Sequence, residues 1–176
     1  MEAAKKTTDQ AQYLGFYVAE EEYAIGILRV KEILEYDTIT KVPGTPPSIR
    51  GVINLRGSVV PVVDLALKFG LPASPITKRT CIVVVEVDLD GERTVMGVLV
   101  DAVSQVMDLG PGDIEPPPAF GTRVHMDHLL GMGKAGKKFI LLLDIDRILS
   151  VNELMEVTKL QELPAEAAPA LAGAAV

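Results

Sequence analysis

The stretch Gly51-Val52-Ile53-Asn54-Leu55-Arg56-Gly57-Ser58-Val59-Val60-Pro61-Val62-Val63-Asp64-Leu65 decides the fold of this 176-residue chain. Two runs rich in Val and Ile, Gly51–Leu55 and Ser58–Val63, flank the dipeptide Arg56-Gly57. Short β-branched runs on either side of turn residues are typical of two paired strands. Asp64 follows the second run, where its carboxylate can accept the unpaired N–H groups of a short helix. We therefore predict two strands, a tight turn and a capped helical turn.

The same alternation of apolar runs and turn residues recurs along the chain. Asp90-Gly91 lies between two apolar runs, and this dipeptide favours a two-residue hairpin because both central residues need positive φ. Glu20-Glu21-Glu22 and Lys134-Ala135-Gly136 are further predicted turns. The pattern predicts eight strands: Tyr13–Ala19, Tyr23–Leu28, Gly51–Leu55, Ser58–Val63, Thr80–Val87, Thr94–Val100, Leu129–Gly133 and Lys138–Leu143.

A loose internal repeat suggests two similar units. Residues 60–69 and 140–149 both carry an apolar run, an aspartate and a second apolar segment, and the aspartate could cap a helix in each copy. We therefore predict an all-β fold of two packed small barrels, over about 13–75 and 76–155. A unit of that size is marginal alone, so the two should pack on each other. Residues 1–12 form a predicted N-terminal tail, and 156–176 a helix end with an Ala/Pro-rich tail.

The composition excludes several classes of function. The chain is 48% hydrophobic but only 5% aromatic, and its net charge is −7. An acidic chain with few aromatic rings is a poor partner for nucleic acid, which disfavours an oligonucleotide-binding barrel. The polar N-terminus does not resemble a secretory signal, and the apolar runs are far shorter than the roughly 20 residues that span a membrane. We expect a cytoplasmic protein that does not insert into membranes.

Four groups of residues resemble chemical sites. Gly131–Lys138 contains a GxGxxG string, but an apolar run follows it where phosphate binding needs a helix, so a nucleotide-dependent enzyme is disfavoured. Asp88-Leu89-Asp90-Gly91 lacks the further ligands of a calcium loop, and His125 and His128 lack a third metal ligand. Cys81 lies in an apolar run, where burial raises the pKa of a thiol. We predict no catalytic residue, no metal site and no cofactor.

Two features exceed what a simple core needs. Arg56 is either a solvated turn charge or a fixed donor, and Glu32 is its candidate partner for a bidentate ion pair. The second half also carries more apolar residues than a small barrel requires, and surplus apolar surface with charged rims is typical of a docking face. The surplus residues are Val98, Leu99, Val100, Val103, Val106 and Met107.

The segment 51–65 resembles the signature of the CheW-like family of bacterial chemotaxis adaptors, most of all at Asn54-Leu55-Arg56-Gly57. Further similar stretches extend the resemblance over roughly residues 13–155. They are Tyr23-Ala24-Ile25, Val30-Lys31-Glu32-Ile33, Pro46-Pro47-Ser48-Ile49-Arg50-Gly51, Gly97-Val98-Leu99-Val100-Asp101 with Val103, and Leu130-Gly131-Met132-Gly133.

The resemblance implies two packed SH3-like, five-stranded barrels with short helices and a non-enzymatic function. Members of the family join the cytoplasmic tip of chemoreceptors to the regulatory domain of the histidine kinase CheA, in arrays at the membrane. By this resemblance, the receptor-binding groove comprises Val30, Glu32, Gly51, Arg56, Gly57, Val98, Val100 and Val103. The kinase-binding edge falls on Ile39-Thr40-Lys41-Val42-Pro43, with Ile39, Lys41, Val42 and Pro43 as its contacts. The alternative is a CheW-like module in another chemosensory pathway, such as one for surface motility.

Overall fold

The computed structural model describes residues 11–89, 91–116 and 128–149, together with the helical residues Glu153, Glu156, Lys159 and Leu160. The predicted N-terminal tail lies outside this part except for Ala11 and Gln12, which already belong to the first strand. Most of the predicted C-terminal tail lies outside it too. Asp90 and His125 also lie outside the described residues, so what the sequence predicts for them stays a prediction.

The described residues form eleven strands and a four-residue α-helix, α1 (Leu65–Lys68), in addition to the helical residues between 153 and 160. The strands are β1 (Ala11–Val18), β2 (Glu21–Gly26), β3 (Val30–Glu35), β4 (Ile49–Leu55), β5 (Ser58–Asp64), β6 (Cys81–Leu89), β7 (Glu92–Val100), β8 (Ala102–Leu109), β9 (Ile114–Glu115), β10 (Leu129–Ala135) and β11 (Lys138–Leu143). All eight predicted strands are present, while β3, β8 and β9 were not predicted.

The strands assemble into two sheets, which confirms the prediction of an all-β fold with two packed units. One sheet has six strands in the order β8-β1-β2-β11-β10-β9, and the other has five in the order β3-β6-β7-β5-β4. Neighbouring strands are antiparallel except in two pairs, β2 with β11 and β5 with β7. The short sixth strand β9 extends the first sheet beyond the predicted five.

The sheets do not follow the predicted halves of the chain. Strands β1 and β2 pair with β8 to β11, and β6 and β7 pair with β3 to β5. The chain crosses from the six-stranded to the five-stranded sheet at the 3-10 turn Ile27–Arg29 and returns at Asp101, between β7 and β8. The predicted boundary near residue 75 therefore does not separate the two sheets, because each sheet takes strands from both sides of it.

Three hydrophobic clusters hold this arrangement together. The largest, here called the central core, combines residues of both sheets, such as Phe16 and Tyr23 of one and Val83 and Met96 of the other. Each sheet also has a separate cluster, around Val62 in the five-stranded sheet and around Ile140 in the six-stranded sheet. Alternate residues of one strand therefore enter different cores, which explains why these strands are almost continuously apolar.

Asp64 caps α1 as predicted. Its carboxylate accepts the backbone N–H groups of Ala66 at 2.9 Å and Leu67 at 3.4 Å. The corresponding prediction for the second copy of the repeat is wrong, because residues 145–147 form a turn and no helix begins there. In that turn the Asp144 carboxylate accepts the N–H of Asp146 at 3.2 Å and lies 3.6 Å from Arg147 Nε.

Candidate functional site

The turn between β4 and β5 holds an arginine in an unusual backbone conformation. Arg56 has φ +51° and Gly57 has φ +86°, and the N–H of Gly57 donates to Asn54 Oδ1 at 3.1 Å. A residue with a side chain in this left-handed region costs about 1 kcal/mol or more. The surrounding contacts must therefore hold Arg56 in place.

Arg56 forms an ion pair with Glu32. Of the two alternatives that the sequence left open, a solvated turn charge and a fixed donor, the structure therefore shows the second. Its Nη1 and Nη2 atoms donate to the two carboxylate oxygens of Glu32 at 2.5 and 3.1 Å. The Arg56 side chain is 75% exposed, so the pair contributes about 1 kcal/mol or less to stability. Its two-pronged geometry does fix the direction of both side chains.

This ion pair connects the two outer strands of the five-stranded sheet. Glu32 lies on β3, and Arg56 follows β4 at the other end of the strand order. An isolated bridge between Thr40 and Val52 adds a backbone connection to the same outer strand β4. A cavity of about 540 Å³ opens beside the ion pair, with Lys31 and Arg93 among its lining residues. The ion pair therefore ties β3, which also pairs with β6 along its length, to the β4–β5 turn.

Lys31 and Arg93 both pair with one carboxylate, that of Glu86. They donate to the two oxygens of Glu86 at 3.2 and 2.8 Å, and these hydrogen bonds hold the pKa of the Glu86 carboxyl below its usual value. The cations around the cavity thus already have carboxylate partners. This arrangement offers little free positive charge for a phosphate or another small anion.

An apolar strip lies between the two sheets, along the outer strands β3 and β8. Val103 and Val106 of β8 stand opposite Phe16 and Leu14, which belong to the central core. Ile33 of β3 stands opposite the core residue Val83 in the same way. These side chains therefore extend the central core to the surface. We call five residues the groove strip: Val30, Ile33, Cys81, Val103 and Val106.

The exposure of the groove strip fits a surface for docking. Ile33 is 44% and Val106 is 52% exposed, and they flank half-buried apolar residues instead of standing alone on the surface. Val30, Cys81 and Val103 are half-buried and pack against the central core. A strip with a packed floor and exposed flanks can accept the apolar side chains of a partner helix without rearranging.

Cys81 connects the two sides of the groove strip. Burial raises the pKa of its thiol, the nearby Glu35 carboxylate raises it further, and a hydrogen bond from the Val103 backbone opposes both. The raised pKa confirms the expectation from the sequence. The thiol is half-buried beside β8, however, whereas the sequence predicted a core residue.

The predicted groove residues do not all share one surface. Val30 and Val103 lie in the groove strip, while Glu32, Arg56 and Gly57 line the cavity beside the ion pair. Sequence reasoning did not assign Ile33 or Cys81 to a binding surface, and it noted Val106 only as surplus apolar surface. The exposed fractions of Ile33 and Val106 were needed to recognise them.

Three of the predicted groove residues are buried inside the protein. Val98 is 1% and Val100 is 0% exposed, so both pack in the central core and are not accessible as a groove wall. They occupy the buried strand β7, which other strands flank on both sides. Gly51 is also buried, and a Cβ atom there would lie 2.1 Å from the Thr40 carbonyl oxygen.

The stretch predicted to bind the kinase follows β3 and is only partly accessible. Ile39 packs against the cluster of the five-stranded sheet, and Val42 packs against the central core. Lys41 and Pro43 are exposed. Of the four predicted contacts, Lys41 and Pro43 therefore present the side-chain surface, while Ile39 and Val42 anchor the backbone.

The glycine-rich segment Gly131–Lys138 is a hairpin of β10 and β11. Gly136 takes φ +65° in the turn, and strand β11 continues directly from Lys138. A strand therefore follows this segment at the place where a phosphate loop would need a helix N-terminus. In the turn between β6 and β7, Asp88 accepts the N–H of Gly91 at 3.0 Å. Within the part of the chain that the structure describes, no three His, Cys, Asp or Glu side chains converge as metal ligands.

The comparison with known proteins agrees with this architecture. A family model described as the CheW-like domain matches residues 12–167. The chain belongs to the CheW-like family. It is 38% identical to the chemotaxis protein CheW of Klebsiella aerogenes over 143 residues, which cover 81% of this chain and 84% of that protein. It is also 30% identical to protein FrzA of Myxococcus xanthus over 158 residues, or 89% of this chain and 96% of that protein.

A solved structure confirms the CheW-like fold. The crystal structure of the scaffolding protein TtCheW from Thermoanaerobacter tengcongensis superposes with a TM-score of 0.72 at 35% sequence identity, covering 81% of this chain and 90% of that one. Among the described residues, no helix of this CheW-like protein is long and apolar enough to cross a membrane.

Proposed function

We propose that the protein is a non-enzymatic adaptor of a chemotaxis array, recruited from the cytoplasm to receptors at the membrane. It links the cytoplasmic tip of chemoreceptors to the regulatory domain of the histidine kinase CheA and thereby controls kinase activity. Membership of the CheW-like family supports this function, as does the similarity to a chemotaxis protein and to a scaffolding protein.

The groove strip is the observation that carries the proposal. In the CheW-like family the receptor tip is a helical hairpin, and the strip offers it an apolar surface between β3 and β8 for one face of a helix. Ile33 and Val106 flank the strip, and the half-buried Val103 lies at its floor. Such helix-in-groove binding relies on shape and apolar contact and needs no catalytic group.

Arg56 and Glu32 act on this surface indirectly. Glu32 points away from the groove strip, because it precedes Ile33 and successive strand residues face opposite sides. The ion pair holds β3 against the β4–β5 turn, so it positions Ile33 and Val30 for the receptor. Arg56 is therefore a positioning residue in this proposal.

A second surface serves the kinase. Lys41 and Pro43 lie in the connection between β3 and β4, and the anchored side chains of Ile39 and Val42 keep that connection in place. The regulatory domain of CheA has a fold like that of its adaptor, so edge-to-edge packing of similar β units is the expected mode. Signal transfer requires that these contacts differ between active and inactive kinase.

Co-sedimentation with receptor fragments, with and without CheA, tests the proposal. We expect Val106→Asp and Ile33→Asp to reduce receptor binding strongly while CheA binding persists. Leu130→Asp is the matched control, since Leu130 is a 54% exposed aliphatic residue outside the groove strip. Arg56→Ala should keep the fold and weaken kinase activation in reconstituted arrays. Normal receptor binding by both groove variants, or no binding of the unaltered protein to either partner, would refute the proposal.

The single cysteine offers a second readout of the same surface. Cys81 belongs to the groove strip, so a receptor helix lying in the groove should slow its reaction with a thiol reagent. Because burial and Glu35 raise the thiol pKa, the free protein should react slowly near neutral pH and faster as the pH rises. Equal labelling rates with and without a saturating receptor fragment would argue against occupation of the groove.

A second candidate function keeps the same mechanism in a different pathway. The match to protein FrzA shows that the sequence is also similar to a family member that carries a different name. The partners would then be the receptor and kinase of another chemosensory system. Pull-down from the native cells separates the two candidates by the kinase that is recovered.

A further inference from the structure

One carboxylate joins the two sheets at the end of the groove strip nearest Val30. Asp146 follows β11 of the six-stranded sheet, and its Oδ1 accepts the backbone N–H of Asp88, on β6 of the five-stranded sheet, at 2.8 Å. This hydrogen bond connects residues 58 positions apart in the sequence. It is a direct polar link between the sheets.

The same carboxylate binds the segment where the chain crosses between the sheets. Arg29, at the end of the 3-10 turn before β3, donates from Nη1 and Nη2 to the two Asp146 oxygens at 2.9 and 2.7 Å. A guanidinium that meets a carboxylate in this two-pronged way has little freedom to turn. Arg29 is 42% and Asp146 26% exposed, so the pair is partly shielded from solvent.

We propose that Arg29 and Asp146 position the two sheets relative to each other and so set the width of the groove. The groove strip lies along β3, which begins one residue after Arg29, and along β8 of the other sheet. A rotation of the sheets about the central core would separate β3 from β8. The Arg29–Asp146–Asp88 link opposes that rotation at one end, whereas Cys81 and Val103 lie at the other.

This inference concerns the groove width, which can be measured without any partner, although the use of the groove rests on the proposed function. The probe is the labelling rate of Cys81 by a thiol reagent under native conditions. We expect Asp146→Asn and Arg29→Gln each to increase this rate several-fold. Both changes break the same ion pair, so the double variant should label only slightly faster than Arg29→Gln alone. Any additional rise would come from weakening the hydrogen bond between Asp146 and the Asp88 N–H.

Two controls separate sheet displacement from simple loss of stability. Arg93→Gln removes an exposed ion pair that lies entirely within the five-stranded sheet, so it should leave the Cys81 rate unchanged. Ile140→Val lowers stability inside the cluster of the six-stranded sheet without touching the link. The proposal would be overturned if Asp146→Asn and Arg29→Gln left the labelling rate of Cys81 unchanged. It would also be overturned if Ile140→Val, at the same loss of stability, raised that rate equally.

A partner assay then relates groove width to binding. If the adaptor function holds, Arg29→Gln should lower affinity for the receptor fragment more than affinity for CheA. If the Cys81 rate rises and neither partner binds even the unaltered protein, the positioning inference stands and the proposed function fails. The two failures are therefore distinguishable.

Discussion

Asp64 shows how much one residue can do beyond what its neighbours in sequence suggest. The pattern around it predicted a helix cap, and the cap is present. The carboxylate is 0% exposed, however, and it also accepts from Arg50 at 2.8 Å and from the N–H and hydroxyl of Ser74, both at 3.3 Å. Those partners lie 14 and 10 residues away, so no local pattern could identify them.

Asp64→Ala should therefore destabilise the protein by about 3 kcal/mol, compared with about 1 kcal/mol for a lost cap alone. The larger value arises because the partly buried Arg50 guanidinium would lose its carboxylate partner. Denaturant unfolding of the variant and of the unaltered protein measures the difference. Asp108→Ala, at an exposed position of β8, is the control and should stay within about 0.5 kcal/mol. A change near 1 kcal/mol for Asp64→Ala would show that the pairing with Arg50 adds little.

Gly51 was predicted to act in the receptor groove, but its surroundings assign it to folding. Its φ is +149°, and an added Cβ would meet backbone atoms of Thr40. Gly57 has φ +86° with open space around it. Gly51→Ala should thus lower the midpoint of thermal unfolding much more than Gly57→Ala, which should cost about 1 kcal/mol. Gly26→Ala, with open space and ordinary φ, is the control. Equal stability of the Gly51 and Gly57 variants would contradict the close approach.

At the scale of elements, the sequence predicted every inner strand and the outer strand β4, but it missed the outer strands β3, β8 and β9. The inner strands are apolar on both faces, so Thr80–Val87 and Thr94–Val100 were recognisable as runs. Strands β3 and β8 lie at the edges of their sheets, and three of the six side chains of β3 and three of the eight of β8 are polar or charged. Edge strands commonly carry such residues because one side faces solvent. Four of the five groove-strip residues lie on these two strands, which explains why the strip was only partly predicted.

The pairing of Arg56 with Glu32 was predictable, in contrast, because it depends on residue chemistry more than on exposure. A lone arginine in a turn and a charged position in a mostly apolar stretch were enough to propose it. The buried positions of Val98 and Val100 were not predictable from their resemblance to family residues, because similarity of sequence does not distinguish a groove wall from the packing behind it. Their exposed fractions of 1% and 0% show that Val98 and Val100 belong to the packing behind the surface.

At the scale of the whole molecule, the chain crosses between the sheets, so each sheet contains strands from both halves of the sequence. The internal repeat predicted two barrels in sequence order, but β1 and β2 complete the sheet of the later strands, and β6 and β7 complete that of the earlier ones. The central core also draws residues from both sheets. Neither half of the chain on its own contains a complete sheet.

Unfolding should therefore occur in a single transition. We expect the calorimetric and van't Hoff enthalpies to agree, because loss of either sheet removes one wall of the central core. Separate chains of residues 1–75 and 76–176 should each lack β-sheet circular dichroism, since each would leave strands unpaired and bury too little apolar surface. Mixing the two chains should restore the signal, because all strand partners are then present. Two resolved transitions would show that the sheets unfold independently despite the shared core, and a folded 1–75 chain would show that this half of the sequence does not need the strands of the other half.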